Sequence, residues 1–160
     1  MSQTLRSCVL FLLLAMAPVT LFVVFPADAG EAETEVRQAT GRFYEALNIM
    51  FTGDVRPMLE VWSHADDVTY MGPFGEILVG WAKIRGSWEQ QAGLKLGGQV
   101  EPTDLHIIAH DGFGVTVGYE RGTNTKNGKS VRVNIRATNV FRREDGKWKM
   151  IGHHTDLFAR

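Results

Sequence analysis

Residues 137–156 read ATNVFRREDGKWKMIGHHTD. Two segments with the alternating pattern of β-strands meet in this stretch at residues 144–146, whose composition is typical of a tight turn between antiparallel strands. The second segment runs from the apolar Trp148 to the polar end HHTD at residues 153–156. A strand that starts apolar and ends with imidazoles and a carboxylate is expected to run from a packed core to the rim of a cavity that binds a small molecule.

The same two-residue period extends through the C-terminal part of the chain. It predicts strands at residues 105–110, 115–124, 130–143 and 147–154. The pair Asn127 and Gly128 lies between the second and third of these strands, and a two-residue hairpin turn favours it because both positions adopt positive φ. We therefore predict a meander of long antiparallel strands.

Helical spacing dominates the N-terminal part. Apolar residues recur at helical intervals over residues 31–52, 55–62 and 81–91, and a short strand is predicted at residues 68–71. Helices followed by such a meander predict an α+β domain, in which three N-terminal helices pack on a strongly curved, mostly antiparallel β-sheet. A chain of 160 residues is long enough for one such domain with its own core.

The first residues form a separate segment. An apolar run at residues 8–25 follows Arg6 and leads to Ala27, Asp28 and Ala29, which have the small-residue spacing of a signal-peptidase site. We predict that residues 1–29 are a secretory signal peptide cleaved after Ala29, which leaves residues 30–160 as a domain in the periplasm or outside the cell. An uncleaved membrane anchor is the alternative, because about 18 apolar residues are enough to span a bilayer.

Composition excludes some classes of function. Cys8 is the one cysteine and lies in the predicted signal peptide, so the mature chain would have no disulfide, cysteine nucleophile or thiolate metal site. The chain has 17 Lys and Arg against 18 Asp and Glu, without a basic stripe. We therefore predict no nucleic-acid partner and, after cleavage, no membrane partner.

Five short pieces of sequence occur in an informative order. They are FYEALN at residues 43–48, GD at 53–54, WSHADDVT at 62–69, the segment 75–80 bounded by two glycines, and DGKW at 145–148. In this order they resemble the nuclear-transport-factor-2-like (NTF2-like) superfamily, which includes the SnoaL-like domains. The C-terminal part is also similar to the association domain of calcium/calmodulin-dependent protein kinases. The resemblance covers about residues 33–157 and implies a cone-shaped fold with an interior pocket and a homodimer formed through the outer face of the sheet.

The resemblance also allows individual activities to be checked. Gly72 stands where ketosteroid isomerases of this superfamily have their proton-abstracting Asp, and their second acid falls near Thr138. Because glycine cannot act as a base, steroid isomerisation is not implied. Of the arginine-rich carboxylate pocket of the kinase association domain only Arg121 is retained, since Asn139 and Thr155 stand at its other positions.

Candidate site residues follow from side-chain alternation. His153 and His154 are neighbours on one strand, so at most one of them enters the cone. If the apolar side of the strands is the concave side, Tyr119, Arg121 and Asn139 face inward. We predict that these three residues and His153 contact a ligand.

The remaining site residues are predicted from their chemistry. Trp62, Tyr70 and Trp88 are expected to form the apolar wall of the pocket. His154 and Asp156 are the candidate catalytic residues if the protein is an enzyme. A metal site would require His106, one of the neighbouring histidines and Asp156 to converge without a diagnostic spacing, so we predict neither a metal nor a cofactor.

These observations favour a secreted or periplasmic homodimer that binds a small, mostly apolar organic ligand in its cone. Arg121, Asn139 and His154 would hold the polar or anionic end of this ligand. One alternative is an acid–base enzyme, such as an isomerase, dehydratase or hydrolase, that uses a His–Asp pair. The other alternative is an oligomerisation module without a ligand.

Overall fold

The computed structural model describes residues 29–73 and 75–157. The predicted signal peptide therefore lies outside the described residues, except for Ala29, which begins the first helix. In these two ranges no helix combines the length and the apolar character needed to cross a membrane.

In the described ranges three helices precede the long strands, as the apolar spacing predicts. They are α1 (Ala29–Met50), α2 (Arg56–Val61) and α3 (Trp81–Gly93). The periodic residues Val36, Phe43 and Met50 of α1 are fully buried, so the predicted stripe is the face that packs on the sheet. Gly53 follows α1 with φ of 111°, a conformation that favours glycine and ends the helix.

The strands form one six-stranded sheet in the order β2-β1-β6-β5-β4-β3. Their bounds are β1 (Thr69–Met71), β2 (Ile77–Val79), β3 (Gln99–His110), β4 (Phe113–Lys126), β5 (Lys129–Glu144) and β6 (Lys147–Asp156). The pairs are antiparallel except for β1 with β6, which is parallel. The sheet is curved and does not close on itself, which confirms the predicted fold class.

Two strand features differ from the sequence prediction. Strand β2 was not predicted, because its three residues are too short for a period to be recognised. Strand β3 begins at Gln99, whereas the sequence predicts its start at residue 105. The additional part of the strand contains Pro102, a residue that is uncommon inside strands. A proline is compatible with β3 because this strand is at the edge of the sheet, where one row of backbone groups has no ladder partner.

The two predicted tight turns are confirmed. Asn127 and Gly128 have φ of 53° and 72° between β4 and β5, and Asp145 and Gly146 have φ of 48° and 76° between β5 and β6. Two successive residues with positive φ match the right-handed twist of the flanking strands. These turns fix the pairing of β4, β5 and β6.

Strand β6 contains an extra residue opposite β5. Val140 pairs with Gly152, whereas the next residue, Phe141, pairs with Met150, so Ile151 has no counterpart. Such a bulge reverses the alternation of side chains beyond it. Trp148 and Met150 are buried before the bulge, and His153 and Thr155 are buried after it.

Helix α1 lies directly against the concave face of β4. A Cβ atom added to Gly114 would approach Val36 Cγ2 to 2.5 Å, a distance that real Cβ atoms do not show. By contrast, Gly41 on the exposed side of the same helix has nothing within 4 Å of its added Cβ. Close packing of α1 therefore requires glycine at position 114 and not at position 41.

Two Gly→Ala substitutions test this packing. Gly114→Ala should lower the free energy of unfolding by about 1–3 kcal/mol, because α1 must move away from the sheet. Gly41→Ala should raise it by about 0.5–1 kcal/mol, because alanine favours the helix. Urea denaturation measures both changes, and equal effects of the two variants would contradict the close approach of α1 and β4.

Candidate functional site

A row of polar side chains crosses the concave face of four adjacent strands. Thr116 of β4 pairs with Asn139 of β5, Asn139 pairs with His153 of β6, and His153 pairs with Tyr70 of β1. All four side chains are buried. Residues paired on neighbouring strands share a face of the sheet, so this row forms one continuous surface inside the cone.

Hydrogen bonds along the row determine the tautomer of the His153 imidazole. Asn139 donates from Nδ2 to Thr116 Oγ1 over 3.1 Å, and Asn139 Oδ1 lies 2.6 Å from His153 Nδ1. The amide oxygen can only accept, so Nδ1 carries the proton of the neutral ring. The free electron pair of His153 is therefore on Nε2.

Glu120 of β4 lies next to that electron pair. Its Oε1 is 3.7 Å from His153 Nε2 and accepts a hydrogen bond of 3.2 Å from the hydroxyl of Tyr44 on α1. The Glu120 residue is only 4% exposed, and no Lys or Arg in the described ranges forms an ion pair with it. A buried carboxyl group without a cation is costly to ionise.

Burial shifts the acidities of all three groups toward their neutral forms. It raises the pKa of Glu120 to about 7, although the Tyr44 hydroxyl works in the opposite direction. It lowers the pKa of His153 to about 3, with a smaller contribution from His154. Burial, followed by the charge of Glu120, also raises the pKa of Tyr44. Near neutral pH the site therefore holds a neutral imidazole beside a carboxyl group that can take up or release a proton.

The predicted aromatic wall lies beside this cluster. Trp62, Tyr70 and Trp88 are all buried on the concave side, where the ring centroids of Trp88 lie 4.6 Å from Tyr70 and 6.0 Å from Trp62. Tyr70 also stacks on His153, with centroids 5.8 Å apart. The polar row is thus enclosed by flat apolar rings.

Tyr70 marks the edge of this enclosed region. It is 9% exposed, and its hydroxyl accepts a hydrogen bond of 3.2 Å from Gln91 Nε2 of α3. A Cβ atom at Gly72 would lie 2.8 Å from that hydroxyl. The tyrosine hydroxyl therefore occupies the space beside Gly72 where a side chain, such as the Asp of the isomerases, would begin.

The structure places the candidate pair His154 and Asp156 outside this site. His154 is exposed, and both residues line an open depression of about 470 Å³ on the convex face of the sheet, together with His106 and Arg136. Arg136 Nε donates to Asp156 Oδ1 over 2.9 Å and lowers the pKa of that carboxyl group. His154 lies on the convex side because the bulge at Ile151 reverses the alternation of side chains, which turns His153 to the concave side instead.

The predicted inward orientation of Tyr119 and Arg121 is wrong. Arg121 lies 4.5 Å from the centroid of the Tyr119 ring and forms an ion pair of 2.9 Å with Asp104, on the convex side. The concave residues of β4 are instead Gly114, Thr116 and Glu120. The apolar side of β4 is its convex side, so the assumption that the apolar side faces the interior predicts the wrong orientation for this strand.

Asn139 faces inward, as predicted, and His153 is the one of the two neighbouring histidines that enters the cone. Glu120 and Tyr44 were not recognised as site residues. The signal for Glu120 is the alternation in β4, where Gly114, Thr116 and Gly118 share its parity. Small and polar residues on the face that meets a helix indicate close approach and a polar interior. Tyr44 carries no comparable signal, because its position fits an ordinary core residue.

The chemistry of a metal centre is not assembled in the described part of the chain. No group of three or more His, Cys, Asp or Glu side chains lies close enough to hold a metal ion there. A second open depression, of about 480 Å³, lies between α1 and α2 and includes Ile49, Arg42 and Glu60. Neither open depression contains the Glu120–His153 pair.

Comparison with known proteins identifies relatives of this fold. The model of the SnoaL-like domain family matches residues 36–158. None of the curated proteins compared with the chain matches it. The structure of a candidate dehydratase of the NTF2-like family from Streptomyces avermitilis is 23% identical, has a TM-score of 0.73 and covers 83% of this chain and 100% of its own.

Two further structures have the same fold. A candidate calcium/calmodulin-dependent protein kinase type II association domain from Thiobacillus denitrificans is 24% identical, with a TM-score of 0.65 and coverage of 77% of this chain and 94% of its own. A candidate aromatic ring hydroxylase from Novosphingobium aromaticivorans is 18% identical, with a TM-score of 0.67 and coverage of 81% and 91%. At such identities the likeness establishes the fold and no shared activity.

The burial of Glu120 makes stability depend on pH. A carboxyl group whose pKa rises from 4.5 to about 7 on folding stabilises the native state below pH 4.5, and this contribution is lost as the pH rises through 7. The Glu120→Gln variant cannot ionise, so its stability relative to the wild type should increase by up to ~3 kcal/mol between pH 4 and pH 8. Urea denaturation at both pH values measures this difference. The exposed Glu45→Gln variant is the control, and an equal pH trend in both variants would contradict the burial of Glu120.

The His153 ring should stay neutral in acid. We expect its Nδ1 to remain protonated and its Nε2 unprotonated at pH 5, because burial lowers its pKa to about 3. The 15N shifts of the five imidazoles, with His153→Gln used for assignment, report the tautomer. A His153 signal that titrates with a midpoint near the ordinary value of about 6.5 would be incompatible with this site.

Proposed function

Since the chain belongs to the family of SnoaL-like domains, we propose that it is an acid–base enzyme acting on a small, mostly apolar organic molecule. Glu120 is the group that takes up and returns a proton. The substrate lies on the concave side of the sheet against Trp62, Tyr70 and Trp88. The reaction class is proton transfer, as in an isomerisation or a dehydration.

One observation carries this proposal, namely the contact of a buried Glu120 with a neutral imidazole in an aromatic interior. Its Oε1 lies 3.7 Å from His153 Nε2, and no Lys or Arg of the described residues neutralises it. A structural role alone does not require a carboxyl group at this place, because an apolar or amide side chain would cost less to bury. Perturbed acids in enclosed apolar surroundings are characteristic of catalytic sites.

The geometry assigns separate roles to the neighbours of Glu120. The carboxylate removes a proton from the substrate, and the resulting carboxylic acid returns it to another carbon or to a departing hydroxyl group. The Tyr44 hydroxyl stabilises the carboxylate by donating to Oε1. Asn139 holds the His153 ring through Nδ1, so that Nε2 stays available to accept a hydrogen bond from the carboxyl group or from a bound substrate.

Access to Glu120 requires movement at the edge of the cone, since Glu120 and His153 are 4% and 5% exposed. The Gln91–Tyr70 hydrogen bond joins α3 to β1 at this edge, and a neutral side-chain hydrogen bond contributes only about 1 kcal/mol. Its opening would let a flat molecule reach the polar row. Motions of this kind limit the rate of many enzymes.

A ligand-binding protein without catalysis is the second candidate. The buried aromatic wall favours it, because such surfaces suit an apolar ligand whether or not a reaction follows. The two candidates differ in the consequence of Glu120→Gln, which should leave binding largely intact and abolish turnover only in an enzyme.

The proposed setting of this activity is a homodimer in the periplasm or outside the cell. Exposed apolar side chains on the convex face of the sheet support the dimer, with Ile108, Phe113 and Val117 at 73%, 50% and 41% exposure. Such residues are expected where two copies pair. The apolar segment at residues 8–25 supports export.

The ring opening of 5-nitrobenzisoxazole tests the proposed base. In this reaction a base removes the proton on carbon, the N–O bond breaks, and a coloured nitrile phenolate forms. We expect kcat/KM to rise with pH around an apparent pKa of about 7, the value of Glu120. Glu120→Gln should lower kcat/KM by about 100-fold or more, the usual contribution of a general base.

The matched control is His154→Gln, which changes a titratable side chain on the opposite face of the same sheet. It should leave both the rate and its pH dependence unchanged. If Glu120→Gln and His154→Gln behave alike, the concave carboxyl group is not the base and the proposal fails.

A further inference from the structure

A second row of cross-strand partners crosses the convex face of the sheet and has an imidazole at each end. It consists of His106 of β3, Val117 of β4, Thr138 of β5 and His154 of β6. Residues paired on neighbouring strands share a face of the sheet, so the four side chains form one continuous line. Both histidines are exposed, and the side chains between them are shorter.

A bulge in each outer strand of this row turns its histidine to the convex face. In β3, residues 104 and 105 lie opposite the single residue Gly118 of β4. Without the extra residue, the alternation of side chains would place Leu105 instead of His106 on the convex face. The bulge in β6 has the same effect on His154. Two separate irregularities of the sheet thus direct imidazoles to one surface.

This surface is the one on which two copies would meet in the proposed homodimer. The row lines the open depression of about 470 Å³, and the exposed apolar side chains of Ile108 and Phe113 lie beyond it on the same face. A twofold contact uses the same patch of both copies. The contact would therefore contain four imidazoles, two from each copy.

The other charges at the depression are compensated within one copy. Arg121 Nη1 lies 2.9 Å from Asp104 Oδ2, and Arg136 Nε donates to Asp156 Oδ1 over 2.9 Å. Tyr119 lies between these two pairs, with its ring under the Arg121 guanidinium at 4.5 Å. Two copies can therefore meet at the depression without repulsion as long as the imidazoles are neutral.

The imidazoles of His106 and His154 have no such compensation. Neither of them forms an ion pair with an acid of the described residues, and the acids on their own strands are held by arginines. Asp156 faces His154 from the same strand, but both of its oxygens accept hydrogen bonds from Arg136.

Two other histidines of these strands do not add to this charge. His110 is also exposed, but Asp111 Oδ2 lies 2.9 Å from its Nδ1, so a carboxylate compensates its protonated form. His153 is on the concave side, where burial lowers its pKa to about 3. Protonation of His106 and His154 therefore adds two uncompensated positive charges to the convex face of each copy.

We propose that the two copies separate in mild acid because His106 and His154 take up protons at the contact between their convex faces. This inference rests on the proposed homodimer and adds the control of its association. An imidazole ordinarily changes its charge between pH 5 and 8. Four neutral imidazoles can be covered by the partner copy, whereas four cations are costly to bury and repel one another.

Sedimentation equilibrium of the wild type at pH 7.5 and pH 5 measures this effect. Excluding the proton from one imidazole of ordinary acidity weakens association about 30-fold between these pH values. Because each imidazole occurs twice in a symmetric dimer, we expect the dissociation constant to rise by at least about 900-fold. Circular dichroism at pH 5 should show folded subunits, and dissociation accompanied by unfolding would overturn the inference.

A double variant with His106→Gln and His154→Gln tests the two imidazoles directly. It should remain dimeric at pH 5, with a dissociation constant within about 10-fold of its value at pH 7.5. The matched control is His64→Gln, which removes an exposed imidazole in the loop between α2 and β1. The control should dissociate in acid as the wild type does. A double variant that dissociates in the same way would remove both histidines from the contact.

The wild type alone also gives the number of protons taken up, from the slope of the logarithm of the dissociation constant against pH. A value below about two per dimer is incompatible with the inference, whatever the variants show.

The result at pH 7.5 separates the inference from the proposed function. A wild type that is equally dimeric at both pH values retains the homodimer and rejects its control by the imidazoles. A wild type that is monomeric at pH 7.5 rejects both the homodimer and the inference. Neither result bears on the proposed base Glu120, which is judged by the ring opening of 5-nitrobenzisoxazole.

Discussion

The extra residue in β6 is the constraint on which the interior depends. Because Ile151 has no counterpart in β5, the side chains before and after it occupy the concave face with different parity. The strand contributes apolar Trp148 and Met150 to the core and then His153 to the polar row. Without the bulge, His154 would face the helices and His153 would lie on the convex side.

The polar row works as a unit because every member fixes its neighbour. Thr116 orients the Asn139 amide, the amide fixes the proton on His153 Nδ1, and Nε2 then faces Glu120. In a medium of low polarity such a chain is stable only when its groups are neutral or satisfied. The raised pKa of Glu120 and the lowered pKa of His153 are two results of that one requirement.

The two faces of the sheet divide the chemistry of the molecule. Ion pairs such as Arg121–Asp104 and Arg136–Asp156 lie on the convex face with exposed valine, isoleucine and phenylalanine side chains. Within the described residues, the concave face holds a carboxyl group without a cation and two tryptophans whose indole N–H groups have no hydrogen-bond partner. Charged recognition therefore suits the outside of the cone, and recognition of a neutral molecule suits the inside.

Local sequence determined the elements of this protein. Helical spacing placed α1, α2 and α3, the two-residue period placed β4, β5 and β6, and glycine after Asn127 and Asp145 fixed the turns. These features depend on residues near one another in the chain, so the sequence contains them directly. Only the tertiary structure decided which face of each long strand became the interior. That choice depends on a single unpaired residue in β6, which becomes apparent only when β6 pairs with β5, and on the close approach of Val36 to Gly114, which lie far apart in the chain.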